Sequence, residues 1–292
     1  MSVLTILLLF VYGLVAGSFV NAWVWRLRQQ LDDDGNAKKL SVKQRKAVSI
    51  LHGRSMCPNC KHALAAKDLV PVFSWLWLRG KCRYCNAPIA TQYPIVELLM
   101  SVLFVGSYLL WPIPLQGAEW WLLAGWLLTL VPLLALALYD AKWYILPSGV
   151  IYIAISIYTA GLVVYTLVSG NTAVLVQAAT AALLYFLLFA SIYGISVVAK
   201  NKGWTSQEWL GFGDVRLAVL LGLVAGTPLN VLVALFVASV AGLLFALPAV
   251  AQKKLGMGSQ VPFGPFLLFG AAFALFFGSS ITNWYTTVML GM

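Results

Sequence analysis

Long apolar runs with almost no charge dominate residues 93–199, where the only charged side chains are Glu97, Glu119, Asp140 and Lys142. The whole chain of 292 residues is 61% hydrophobic and 10% charged. A water-soluble domain has far more charged surface, so such a chain needs lipid to cover its apolar side chains. We therefore predict an all-α polytopic membrane protein.

The apolar runs long enough to cross a bilayer predict about eight transmembrane helices, given about 20 residues per crossing. These runs lie at 2–25, 93–111, 119–139, 149–169, 173–199, 213–227, 229–250 and 262–284. The first has no basic segment before it and no small-residue cleavage site, so we interpret it as a retained helix and not a signal peptide. The run at 213–227 is the shortest, and we expect its cytosolic end to be unwound where it lines a cavity.

The basic residues predict the orientation of these helices, because loops rich in lysine and arginine stay in the cytosol. Most of the 19 basic residues lie in the polar stretch 26–92. With that loop inside, eight crossings place the remaining basic residues inside as well and both chain ends outside. We thus predict a first helix at 1–25, a cytosolic loop at 26–92 and a seven-helix membrane domain at 93–292. The net charge of +10 is then explained by contact with anionic lipid and not with nucleic acid.

Two Cys-x-x-Cys pairs occupy the polar loop. They are Cys57 with Cys60 and Cys82 with Cys85. Two such knuckles can close one tetrahedral site with four thiolate ligands, which leaves no open position for a substrate water. The reducing cytosol disfavours disulfides, so we predict a structural zinc ion, with an iron–sulfur cluster or redox chemistry as the alternative. The chain's two histidines, His52 and His62, are interpreted as surface residues.

Two aspartates at the ends of apolar runs, Asp140 and Asp214, fall at the same predicted cytosolic edge of the membrane. A carboxylate at the centre of a bilayer costs roughly 2.5–3.5 kcal/mol on insertion scales, so it needs a partner, water or a function there. Two carboxylates that reach one water molecule can hydrolyse a peptide bond. The ionised one takes a proton from the water, and the neutral one donates to the developing oxyanion.

The residues around Asp214 allow both a functional and a structural explanation. Gly211 and Gly213 permit close backbone approach, which would let the carboxylate meet a substrate strand, and we count both among the candidate substrate contacts together with Arg216. The structural alternative is that each aspartate caps a helix or forms a salt bridge, with Lys142 or Arg216 as the partner.

Seven segments of the sequence resemble, in this order, those of bacterial type IV prepilin peptidases. They are Gly-Ser-Phe-Val-Asn at 17–21, the first cysteine pair at 54–60, Phe-Ser-Trp at 73–75, the second cysteine pair at 79–85, Tyr-Pro-Ile-Val-Glu-Leu at 93–98, Gly-Phe-Gly-Asp at 211–214 and Pro-Phe-Gly-Pro-Phe-Leu at 262–267. The Gly-x-Gly-Asp element alone is shared with presenilin-like and signal-peptide peptidases. The ordered set is far more specific, and it runs from the first predicted helix to the last.

This resemblance implies an aspartic endopeptidase of the bacterial inner membrane that removes the basic leader from type IV prepilins or pseudopilins. In many members it also methylates the new N-terminus with S-adenosylmethionine, although no glycine-rich methyl-donor loop is recognisable here. Asp140 and Asp214 match the catalytic positions, and the four cysteines match the metal knuckles. Two residues depart from the family pattern. Arg216 stands where lysine is usual, and Ser148 stands where an acidic residue is common.

Two other classes of function compete with the peptidase. A transporter could relay protons or cations through Asp140, Asp214 and Glu97, but both aspartates lie at one membrane edge and no inverted repeat is apparent. A metal-binding membrane adaptor would leave the carboxylates unexplained. For Glu97 itself we weigh contact with the basic leader of a substrate, supported by anionic lipid, against a helix N-terminal charge favoured by the macrodipole.

Overall fold

The structure is a computed structural model, and it describes residues 2–32, 35–50, 52–205, 209–251, 262–289 and 291, with the backbone alone at 248–251. The chain divides into two compact units, Met1–Leu109 and Leu110–Met292. Long α-helices account for most of the described residues of the chain, which contain isolated β-bridges in the first unit but no strand.

The first unit is built on two long helices, and the polar loop lies between them in the sequence. In chain order its elements are α1 (Val3–Gln30), α2 (Val42–Ala47), a 3-10 turn (Ala66–Asp68), α3 (Phe73–Trp77) and α4 (Gln92–Leu109). A Cβ atom added at Gly13 or Gly17 of α1 would lie 2.5 Å from Ser101 Cα or 2.6 Å from Glu97 Cα of α4. The two helix backbones therefore touch, which only glycine at these positions allows.

The described residues of the second unit form six helices. They are α5 (Glu119–Trp143), α6 (Ser148–Ser169), α7 (Thr172–Asn201), α8 (Phe212–Ala225), α9 (Pro228–Ala251) and α10 (Gly264–Met289). Glycines again bring backbones together. A Cβ added at Gly125 of α5 would lie 3.1 Å from Gly161 Cα of α6, and Gly222 of α8 leaves no room for one against Ala182 of α7.

The prediction of an all-α polytopic membrane protein is confirmed. Seven helices of the described residues are long and apolar enough to cross a membrane, namely α1, α4, α5, α6, α7, α9 and α10. The sixth predicted span, at 213–227, is the exception, because α8 has only 14 residues and a length of about 21 Å. Most of its residues are buried inside the second unit.

The expectation that the start of the sixth run, at 213–227, is unwound is wrong. Helix α8 begins at Phe212, directly after Gly211, so Gly213 and Asp214 are helical. The placement of both chain ends outside the membrane requires α8 to count as a crossing, and it stays a prediction. The domain boundaries 1–25, 26–92 and 93–292 stay predictions as well.

Candidate active site and metal centre

Asp140 lies in the last turn of α5, where its side chain is only 5% exposed. Helix α5 ends four residues later at Tyr144, which adopts a left-handed conformation and donates its N–H to the Asp140 carbonyl. The Oδ2 atom of Asp140 accepts a hydrogen bond of 3.1 Å from the N–H of Gly264, the first residue of α10. This N–H has no partner within its own helix, and the positive end of the helix dipole favours a carboxylate there.

Gly264 fits tightly against this carboxylate. A Cβ added to Gly264 would lie 2.6 Å from Asp140 Oδ2, well inside van der Waals contact. Only glycine therefore lets the start of α10 approach Asp140 closely enough to donate its backbone N–H.

Asp214 is the third residue of α8 and is half-buried. Its carboxylate faces the backbone N–H of Gly211, the residue before α8. The negative charge of Asp140 acts directly on Asp214. The structure therefore brings together two carboxylates from α5 and α8 that are separated by more than seventy residues in sequence.

Leu146 shows that three segments distant in sequence meet here. Its side chain would contact a Cβ added at Gly213 at 3.1 Å and one added at Gly264 at 3.4 Å. Leu146 thus packs between the first turns of α8 and α10, beside both aspartates. The segment between α5 and α6, the Gly-Phe-Gly-Asp segment and the Pro-Phe-Gly-Pro segment form one cluster, which we call the aspartate cluster.

The two residues that depart from the family pattern contact each other. Arg216 Nη1 donates to the hydroxyl of Ser148, the first residue of α6. The Arg216 guanidinium also lies 4.5 Å from the centre of the Phe212 ring. The ion pairs of the described residues include neither Asp140 with Lys142 nor Asp214 with Arg216. The capping contacts are therefore present, whereas the salt-bridge explanation of the aspartates has no support.

The four cysteines form one cluster in the first unit. Their Sγ atoms all lie within 4.8 Å of one another, and those of Cys57 and Cys85 are 3.9 Å apart. A tetrahedral zinc site with Zn–S bonds of about 2.3 Å requires S···S distances of about 3.8 Å. The four thiols therefore fit a zinc ion if the sulfur atoms move slightly closer together.

Both knuckles are built by the same local hydrogen bonds. In the first, Cys57 N–H donates to His62 O and Lys61 N–H to Cys57 O. In the second, Cys82 N–H donates to Ala87 O and Asn86 N–H to Cys82 O. The residue after each second cysteine, Lys61 or Asn86, has a positive φ of about 60°. Each turn thus points two sulfur atoms to one side.

The environment of the thiols favours thiolates at some positions. The backbone N–H of Ala87 lowers the pKa of Cys85 to about 6. Burial raises the pKa of Cys57, but hydrogen bonds from the Cys60 and Asn59 backbones outweigh it, so the net shift is downward. At Cys60 a hydrogen bond from His62 lowers the pKa, but desolvation and the neighbouring sulfurs raise it to about 11.

A polar contact ties the second knuckle to the 3-10 turn. Arg83 Nε donates to Asp68 Oδ1 at 2.7 Å, and the Tyr84 hydroxyl donates to Asp68 Oδ2 at 2.9 Å. Burial raises the pKa of Asp68, but these bonds outweigh it and hold the pKa below its ordinary value. His62 stacks its ring on Tyr84, with centroids 3.7 Å apart, and both it and His52 are exposed, as expected for surface histidines.

Glu97 lies in the second turn of α4 and is only 6% exposed. It accepts a hydrogen bond of 2.7 Å from the N–H of Val72, and the Ser18 side chain also bonds to its carboxylate. The first turn of α4 contains no acidic residue, and the macrodipole acts mainly within that turn. Both explanations of Glu97, the leader contact and the helix-end charge, stay predictions.

Two residues of the aspartate cluster were missed in the sequence analysis. Gly264 was noted only within the Pro-Phe-Gly-Pro-Phe-Leu segment, and Leu146 was not singled out. Nothing in the local sequence around either residue indicates contact with an aspartate. The one signal in the sequence was that Gly264 belongs to the Pro-Phe-Gly-Pro-Phe-Leu segment, which has no other structural explanation.

Comparison with protein families decides the relationship of the chain. Residues 11–111 match the bacterial peptidase A24 N-terminal domain, and residues 126–247 match the type IV leader peptidase family. The chain belongs to the type IV leader peptidase family. The second match includes Asp140, Asp214 and the residues that separate them.

Individual relatives extend this match over nearly the full length. A prepilin leader peptidase/N-methyltransferase from Aeromonas hydrophila is 33% identical, over 97% of this chain and 94% of that protein. One of the same name from Pectobacterium carotovorum subsp. carotovorum is 33% identical over 91% and 90%. A type 4 prepilin-like proteins leader peptide-processing enzyme from Escherichia coli O78:H11 is 32% identical over 88% of each chain. No solved structure matches the chain.

Proposed function

We propose that the chain is an aspartic endopeptidase that removes the basic leader from type IV prepilins or pseudopilins. The observation that carries the proposal is the meeting of Asp140 and Asp214, from two distant helices, beside the first turn of α10. Membership of the leader peptidase family supports the substrate class. A transporter gains no support, because neither the family nor the names of its relatives suggest transport.

The two carboxylates would work as an acid–base pair. Close carboxylates cannot both ionise easily, so together they hold one proton. The ionised one takes a proton from water as its oxygen attacks the scissile carbonyl carbon, and the neutral one donates its proton to the carbonyl oxygen. Collapse of the tetrahedral intermediate expels the new amino terminus, which receives a proton from the pair. No covalent intermediate with the protein is formed.

The surroundings of Asp214 would hold the substrate backbone. Gly211 and Gly213 present no side chain beside the carboxylate, so an extended peptide can approach it. Arg216 lies two residues further along α8, and we assign it a substrate contact as well. Glu97, in the first unit, remains a candidate contact for the basic leader.

The setting of the reaction follows from the charge distribution. We place the protein in the bacterial inner membrane, with the cysteine loop and the aspartates on the cytosolic side and both chain ends outside. The apolar helix of the prepilin would enter the bilayer, and anionic lipid would offset repulsion between the basic leader and the basic loop. Nucleic acid has no role in this scheme.

The cysteine cluster would hold one zinc ion with a structural role. All four ligands, Cys57, Cys60, Cys82 and Cys85, would be thiolates, so no coordination position is open for catalysis. A structural zinc site contributes about 10–16 kcal/mol of apparent binding free energy, which would order a loop that has little apolar core.

We assign a second activity, N-methylation of the newly exposed terminus with S-adenosylmethionine, on the names of the relatives. When bound, S-adenosylmethionine supplies an activated methyl group on a sulfonium sulfur.

The test is mass spectrometry of a prepilin co-expressed with the protein, which reports cleavage and methylation together. Asp140→Asn and Asp214→Asn should each lower cleavage by at least about 100-fold, as expected for the loss of a general acid or base. Glu119→Gln is the matched control, because Glu119 is an acidic residue of the first turn of α5 outside the pair. Wild-type cleavage by either aspartate variant would refute the acid–base pair.

A further inference from the structure

Helix α3 carries three large apolar side chains that the described residues leave uncovered. Phe73, Leu76 and Trp77 are 68%, 58% and 83% exposed. Residues three and four positions apart share one side of a helix, so these side chains form one surface, which we call the α3 face. An exposed cluster of large apolar side chains on a polar loop indicates contact with a partner or with a membrane.

The opposite side of α3 is directed into the first unit. Ser74, Trp75 and the following Leu78 line a cavity of about 370 Å³ between α1, the cysteine loop and the start of α4. The indole N–H of Trp75 donates to Ile89 O at 3.1 Å, which fixes the rotation of the helix. A surface helix in water directs polar side chains outward, so α3 is arranged for an apolar environment.

A buried hydrogen bond holds the start of α3 against the long helices of the first unit. Val72, the residue before α3, donates its N–H to Glu97 Oε2 of α4 at 2.7 Å, and the Ser18 side chain of α1 bonds to the same carboxylate. Val72 has a φ of 62°, which is unusual for a β-branched residue, so the contact with Glu97 determines its backbone. Helix α3 therefore begins beside α1 and α4.

Both long helices expose apolar side chains at the level of this contact. Phe19 follows Ser18 on α1, Leu98 follows Glu97 on α4, and both side chains are exposed. These two helices are long and apolar enough to cross a membrane, so exposed side chains of this kind face lipid. The α3 face thus lies close to the level at which α1 and α4 enter the lipid.

The charges around α3 suit a membrane surface. Arg79 and Lys81 follow the helix and are exposed, and the sequence from 69 to 96 contains no acidic residue. Anionic lipid head groups attract basic side chains near the surface. Tryptophan is enriched at the boundary between lipid and water, where its ring is buried and its N–H reaches polar groups, and Trp77 is the most exposed residue of the α3 face.

We propose that α3 is an interfacial anchor, whose face inserts between the head groups and the upper acyl chains of the membrane that α1 and α4 cross. A helix of five residues is about 7.5 Å long, whereas recognition of a partner helix uses anchors over two turns, so lipid fits the α3 face better than a protein does. The anchor holds the cysteine loop against the membrane surface. This inference does not depend on the proposed peptidase or methyltransferase activity.

The test maps lipid contact on the full-length, zinc-loaded protein in nanodiscs of phosphatidylethanolamine and phosphatidylglycerol, without prepilin. The nanodiscs include a lipid with a photoreactive diazirine on the acyl chain close to the glycerol, and mass spectrometry identifies the labelled residues. Phe73, Leu76 and Trp77 should be labelled together with Ile95, an exposed residue of α4 that serves as the positive control. Labelling of Ile95 with none on the α3 face would overturn the anchor.

Substitutions test whether apolar character places α3 in the membrane. Trp77→Ser removes the largest apolar side chain of the face and should lower labelling of Phe73 and Leu76 by about fivefold or more. Trp77→Phe keeps an aromatic ring and should leave that labelling within about twofold. Val42→Ser is the matched control, because Val42 is exposed on α2, a helix without an apolar face. Equal labelling in the wild type and Trp77→Ser would contradict the proposal.

Zinc content and melting temperature show whether each variant is folded, and the lipid map of the wild type needs no variant. p-Benzoylphenylalanine in place of Trp77 then separates lipid from protein partners. A cross-linked product with the mass of a lipid supports the anchor. A product with a second copy of the chain, or with added prepilin, assigns the α3 face to a protein contact and refutes the anchor. Cleavage of prepilin by the wild type is a separate measurement, so the proposed peptidase stands if the anchor fails.

Discussion

Replacing Gly264 by alanine should impair catalysis without removing either aspartate. The new Cβ would lie 2.6 Å from Asp140 Oδ2, whereas carbon and oxygen atoms in contact are normally more than 3 Å apart. Either the carboxylate or the start of α10 must therefore move by roughly half an ångström or more. That movement stretches the 3.1 Å hydrogen bond from Gly264 N–H, and a hydrogen bond to a charged group contributes about 1.5–3 kcal/mol.

These magnitudes predict a fall in kcat of about 10- to 100-fold for Gly264→Ala. A displacement near 1 Å in a reacting group costs about 100-fold, and KM should change little because the substituted atom acts on the carboxylate. The assay is steady-state cleavage of a purified prepilin. Gly194→Ala is the control, because a Cβ at this helical glycine of α7 meets nothing within 4 Å. If Gly264→Ala folds and keeps the wild-type kcat, the hydrogen bond to Asp140 is irrelevant to cleavage.

Three further perturbations test the surroundings of the two sites. Cys85→Ser should reduce zinc below one ion per chain in elemental analysis, and finding iron or no metal in the wild type would contradict the assignment. Asp68→Asn should weaken protection of the loop in hydrogen exchange at neutral pH. Because the pKa of Asp68 is lowered in the fold, the difference in protection between variant and wild type should shrink as pH falls through that pKa. A difference that persists below that pKa would be inconsistent with an ionic contact between Asp68 and Arg83. Arg216→Ala and Ser148→Ala each remove one partner of a single hydrogen bond, so their effects on cleavage rate should be non-additive in a double-mutant cycle, and additivity would count against a functional contact.

Local features of the sequence determined the helices and the cysteine knuckles. A run of about 20 apolar residues has few alternatives to a membrane-crossing helix, because lipid offers no hydrogen bonds to the backbone. Seven of the eight predicted spans are therefore long helices in the structure. Each Cys-x-x-Cys turn is closed by bonds between neighbours in sequence, so its shape is also a local property. The aspartates could be singled out because a charge in an apolar run is costly and therefore indicates a partner, water or a function.

Only the tertiary structure decided what these residues contact. Hydropathy cannot separate a side chain facing lipid from one facing protein, so it did not indicate that the run at 213–227 forms a short helix, α8, with mostly buried residues. The Asp140–Gly264 bond joins positions 124 residues apart, and the Arg216–Ser148 bond joins positions 68 apart. The charges of Arg26 and Glu97 meet at one cavity because α1 and α4 pack through glycines. Such pairings depend on how whole helices fit together, and no local pattern in the chain records that fit.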